Sequence, residues 1–94
     1  MKVIRLDAST WRTADDFYAA LLRELGAPSW HGRNLDALHD SLLGGINEVQ
    51  PPFAVELERT AEVSADMADF LASVVAVFED ARRDFGADVS VRLR

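Results

Sequence analysis

Residues 30–40 read Trp-His-Gly-Arg-Asn-Leu-Asp-Ala-Leu-His-Asp. This stretch decides the fold because only a helix sorts its residues into separate faces. Asn34 is a strong N-cap residue, and Gly44-Gly45 supplies a stop, so the spacing predicts a helix from Leu35 to about Leu43. At about 100° per residue, Leu35, Leu38 and Leu42 fall within about 60° of one another, a core face. Asp36 and Asp40 lie about 40° apart on a different face. His39 sits on the border between the two, and Leu43 falls among the acids as an exposed apolar contact. The acidic pair is not what helix stability alone favours. Asp36 gains from the positive N-terminal end of the helix dipole. Asp40 lies in the second half and gains nothing there, and like charges four apart oppose the helix by a few tenths of a kcal/mol.

The segments on either side form a regular alternation. Upstream, Lys2 to Leu6 is short and β-prone. Thr13 is an N-cap, with Asp16 three residues on as a short capping box. Phe17, Leu21, Leu22 and Leu25 follow at helical spacing, until Gly26-Ala27-Pro28 ends the run. Downstream, Pro51-Pro52 is a break, and Phe53 to Leu57 is a near-continuous apolar run, the pattern of a buried parallel strand. Residues 59–65 are ambiguous and have room for a short helix. A long helix is predicted from about Asp66 to Phe85, with Met67, Phe70, Leu71, Val74, Val75, Phe78, Ala81 and Phe85 as its apolar stripe and Gly86 as its stop. Val-Ser-Val-Arg-Leu at 89–93 alternates, as an edge or half-covered strand does. Strands separated by helices need crossovers. The predicted fold is therefore α/β: a small three-stranded parallel sheet flanked by three to four helices, in one domain over 1–94.

Composition narrows the function. The 94 residues contain no cysteine, so disulfides, thiolate metal sites and thiol nucleophiles are excluded. Arg5 and Asp7 interrupt the apolar N-terminal run, and no stretch approaches the roughly 18 apolar residues of a membrane span, so a cytoplasmic protein is expected. The net charge of −6 is uneven. Residues 1–35 carry five basic and four acidic side chains, and residues 36–94 carry five basic and twelve acidic ones. Such a surface repels nucleic acid and attracts a basic partner.

Three chemistries compete for the Trp30–Asp40 stretch. In the first, His31 or His39 acts as a base oriented by Asp36. The nearest hydroxyl, on Ser41, points away from both, and there is no phosphate-cradling glycine loop and no nucleophile elbow. In the second, His39, Asp36 and Asp40, with His31 from the loop, hold a metal ion; dedicated sites show tighter ligand sets. The third is protein recognition. Trp11 and Trp30 are both large enough to serve the core, but Trp30, between a proline and a glycine, is the better placed as a surface anchor.

The run Gly32-Arg-Asn-Leu-Asp-Ala-Leu-His-Asp40 resembles the G-x-N-L-D-A-L-x-D signature of the barstar family of ribonuclease inhibitors. The resemblance extends over nearly the whole chain. A helix ending E-L-x-x-P precedes the signature, the apolar strand follows it, and Val77-Phe-Glu-Asp-Ala-Arg82 is similar to a segment of the family's last helix. The resemblance implies a non-enzymatic inhibitor without metal or cofactor, acting as a monomer in a 1:1 complex with a basic ribonuclease, barnase-like or related and guanyl-specific. It implies that the second helix and the loop before it plug the nuclease active site, with Asp36 and Asp40 as inserted acids and Asp40 as the central anion. Trp30 would pack on the nuclease, Gly32 and Asn34 would shape the loop and turn, Asp80 would add an acidic contact, and Asp84 a peripheral one. His31 and His39 stand where relatives often carry tyrosine and tryptophan at the contact surface, and Arg33 is basic where an acid is familiar. The same scaffold also implies an alternative, an immunity or regulatory module against a toxin that is not a ribonuclease.

Overall fold

The computed structural model describes residues 1–94. The chain forms strand β1 (Lys2–Asp7), helix α1 (Ala14–Leu25), helix α2 (Leu35–Leu42), strand β2 (Phe53–Glu58), a 3-10 turn (Thr60–Glu62), helix α3 (Ala65–Phe85) and strand β3 (Val89–Leu93). The strands pair in chain order, β1-β2-β3, and both pairings are parallel. This is the α/β architecture expected from the alternation of strands and helices, and the short helix left open at 59–65 is the 3-10 turn.

Ile4 pairs with Val55 and Leu6 with Leu57, while Phe53 pairs with Val89. All six side chains are buried on one face. Strands added in order with right-handed crossovers place every helix on the same side of the sheet. The opposite face stays open, and the register lines up Arg5, Glu56 and Arg92 across it. The Arg5 Nε donates to Glu56 at 3.0 Å and an Arg94 Nη donates to it at 3.2 Å. Partial burial would raise the Glu56 pKa, but these hydrogen bonds and the two positive charges together hold it below its ordinary value. The apolar run in β2 is therefore not buried on both sides, as a fully covered parallel strand would be. Phe53, Val55 and Leu57 alternate with half-buried Ala54, Glu56 and Glu58.

One apolar cluster unites the sheet with all three helices. Phe17 is its aromatic centre, with ring centroids of Trp11, Tyr18 and Phe70 at 5.6, 5.2 and 5.5 Å. Trp11 is thus a core residue. On α3 the stripe buries Met67, Leu71, Val74, Phe78 and Ala81. Phe85 departs from the predicted stripe and is 62% exposed. It shares a helix face with Phe78, seven residues earlier, but lies beyond the end of the covered core.

The helix ends are built as the sequence predicts. At α1 the Asp16 carboxylate accepts the backbone N–H groups of Arg12 and Thr13 at 2.8 and 3.2 Å. Those bonds hold the Asp16 pKa below 3.8. A carboxylate held low in the folded state stabilises the protein above its unfolded value and loses that effect as pH falls through the folded value. Asp16→Asn should therefore lower the melting temperature at neutral pH, and the gap to wild type should close once the medium is more acidic than both values. Thermal melts across that range check this; a gap that persists in strong acid would mean that the charge is not the cause. At the other end of α1, Gly26 takes a left-handed conformation at φ 65°, and Ala27 N–H donates to Leu22 O at 2.9 Å. A side chain at Gly26 would be strained by that φ and would meet Glu48.

Candidate protein-binding face

The second helix is anchored at its start. The Asn34 Oδ1 accepts the N–H of Ala37 at 2.8 Å. Gly32 lies against this cap: a Cβ there would come within 2.9 Å of the Asn34 amide and 3.1 Å of Ala37 Cβ. Only glycine lets the loop approach so closely without displacing the cap. The loop and helix start thus form one rigid unit, held by Gly32 and Asn34 rather than by contacts these residues make outward. Asn34→Ala should cost about 1 kcal/mol of stability, as loss of an N-cap typically does. It should also weaken any binding that uses α2, because the first turn then frays. Paired denaturant melts and affinity measurements on this variant test both effects.

Leu38 and Leu42 are fully buried and Leu35 half-buried. Ser41 completes the inward face, its Oγ donating to Leu38 O at 3.0 Å. It is only 3% exposed and has no access to a substrate. Asp36 and Asp40 are exposed and make no ion pair within the protein. None of the four surface depressions is lined by either acid. No group of three or more histidine, aspartate and glutamate side chains is arranged to hold a metal ion.

Trp30 is 73% exposed and Leu43 41% exposed. Both are on the surface, Trp30 from the loop and Leu43 from the end of α2. His39 is half-buried, its ring in a T-shaped contact with Phe85 at 5.2 Å between centroids. His31 is a correction to the expected contact set, because the structure turns it inward and leaves it 8% exposed. The reason is the local turn. His31 N–H donates to Pro28 O at 3.0 Å, so the loop bends sharply, directing Trp30 out and His31 in. The His31 Nδ1–H then donates to Gly32 O at 2.7 Å, so this side chain braces the loop. His31 Nδ1 and the Ser41 Oγ thus bond to separate backbone carbonyls rather than to each other.

Two arginines reshape the charge of the face. Arg33 turns toward α1 and donates to both Asp15 carboxylate oxygens at 2.8 and 2.9 Å. Its charge is neutralised within the protein. On α3, Arg83 bridges Asp80 at 2.5 Å and Asp84 at 3.3 Å. Hydrogen bonding and attraction from Asp84, with further attraction from Asp80, raise the Arg83 pKa, so this clamp stays cationic. Asp80 and Asp84 are therefore partly compensated, whereas Asp36 and Asp40 are not.

A family model described as Barstar (barnase inhibitor) matches residues 1–94. The chain belongs to the barstar family. The barstar match covers every element described above, and the family is described as one of barnase inhibitors. Within this barstar-family fold, reading the sequence missed Phe85, Arg83 and Asp15. Phe85 matched a core stripe by period, and nothing local shows where the core ends. Arg83 lies three residues after Asp80, a spacing that does predict that ion pair, whereas the pair with the adjacent Asp84 has no such helical signal. The Asp15–Arg33 pair spans different elements and has no local signal.

Proposed function

We propose that this protein inhibits a basic ribonuclease, barnase-like or related and guanyl-specific, by inserting the exposed face of α2 into its active site. The observation that carries the proposal is the pair Asp36 and Asp40, exposed, unpaired and held on a helix whose start is locked by Asn34 and Gly32. A ribonuclease active site is cationic because it stabilises charge on a phosphoryl transition state. Carboxylates replacing substrate phosphates meet that site with charge-assisted hydrogen bonds. A rigid helix lowers the ordering cost of doing so. The remaining acidic surface draws the basic partner in from a distance, an attraction that salt weakens.

Trp30 and Leu43 supply apolar contact beside the acids, and Asp80 and Asp84 form a weaker acidic border because Arg83 holds them. The partner forms a 1:1 complex with the monomer, and the inhibitor acts in the cytoplasm, where it protects the cell from its own nuclease. The test is a titration of barnase, and of a second guanyl-specific ribonuclease, with the protein while RNA cleavage is followed. Stoichiometric loss of cleavage supports the proposal. A folded sample that inhibits neither enzyme would move the assignment to a toxin that is not a ribonuclease.

A further inference from the structure

Phe85 is a large apolar side chain at the last position of α3, immediately before the Gly86 stop. It adds little to the core, since it remains mostly exposed. It is nonetheless held in place, its ring and that of His39 meeting in a T-shaped contact. His39 is three residues after Asp36 and four before Leu43, so on α2 it is a neighbour of both an acid and the apolar contact. Asp80 and Asp84 on the same helix end are held by Arg83, but through His39 the ring adjoins the α2 face that carries the unpaired Asp36 and Asp40. An exposed aromatic ring beside a face with unpaired acids is an arrangement that takes a flat cation: the ring face attracts it and a free carboxylate pairs with it.

We propose that Phe85, braced by His39, is a specificity-determining contact of the binding face, and that it stacks against an arginine at the rim of the basic partner. This rests on the proposed inhibition of a ribonuclease and extends it, because it assigns part of the recognition to a residue outside the α2 acids. Stacking on a ring already ordered by His39 costs little side-chain freedom. It also selects among basic nucleases, since lysine lacks the planar group that stacks well.

The test uses the full chain against barnase and a second guanyl-specific ribonuclease, measuring dissociation rates for wild type, Phe85→Ala, Phe85→Leu, Phe85→Tyr and Asp40→Ala. Phe85→Ala is expected to speed dissociation at least about tenfold, in the range of a single aromatic anchor. Its melting temperature should stay within about 4 °C of wild type, as for an exposed site in a domain of this size. Phe85→Tyr should retain binding, and Phe85→Leu should lose most of what alanine loses. Wild-type affinity in Phe85→Ala, alongside a weakened Asp40→Ala, would overturn this inference and leave the proposed function standing. Full rescue by leucine would overturn the arginine as occupant. Failure of the wild type to bind either nuclease would reject both.

Discussion

Asp40→Ala is expected to weaken inhibition of the ribonuclease by about 30- to 5,000-fold, the equivalent of about 2–5 kcal/mol. That is the range for truncating one member of a buried, hydrogen-bonded charge pair at an interface, a range to which the barnase–barstar complex itself contributes. Much of the loss comes from the partner's cations, left buried without a counter-charge. The same substitution should leave the free protein as stable as before, or slightly more so. Asp40 has no ion pair to lose. Its removal relieves the like-charge opposition with Asp36, worth a few tenths of a kcal/mol. Lost affinity with undiminished stability is the signature of a residue kept for binding. Inhibition titrations and denaturant melts on one preparation decide it. Unchanged inhibition would remove Asp40 from the interface, and a large loss of stability would show that α2 needs the carboxylate structurally.

Phe17→Ala should have the opposite signature. Phe17 is completely buried and its ring meets Trp11, Tyr18 and Phe70 edge-on. Emptying such a site typically costs about 3–5 kcal/mol, from lost burial and from the cavity that remains. Against a total stability of about 5–15 kcal/mol for a domain of this kind, the loss is severe. It corresponds to a fall in melting temperature of about 12 °C or more. Phe17 is enclosed in the core and presents nothing at the exposed face of α2. Folded Phe17→Ala at low temperature should therefore still titrate the nuclease stoichiometrically. A denaturant midpoint lowered at constant slope would confirm a pure stability effect. A loss below about 1 kcal/mol would mean that the neighbouring rings close the cavity.

Most of the fold was legible because its signals are local. Asn34 caps α2, Gly26 ends α1 and Gly86 ends α3, each as predicted from residues within one turn. Apolar spacing identified the helices, and their alternation with β-prone runs implied crossovers and hence a parallel sheet. The faces of α2 were legible for the same reason, so Asp36 and Asp40 could be separated from Leu38 and Leu42 by angle alone. Periodicity reports which side of a helix is apolar, but not how far the covering layer extends. It therefore assigned Phe85 to the core, although α3 outruns what covers it.

By itself, then, the sequence determined the element order, the helix ends, the outward acidic pair and the family signature, all of which depend on neighbours along the chain. The tertiary structure alone decided that one sheet face stays open, that His31 turns in while Trp30 turns out, that Asp15 neutralises Arg33, and that Phe85 comes to rest on His39. Apart from the His31 turn, which the local bond to Pro28 O sets, each of these depends on where distant segments meet. Burial and charge pairing are properties of that meeting, and no spacing along the chain encodes them.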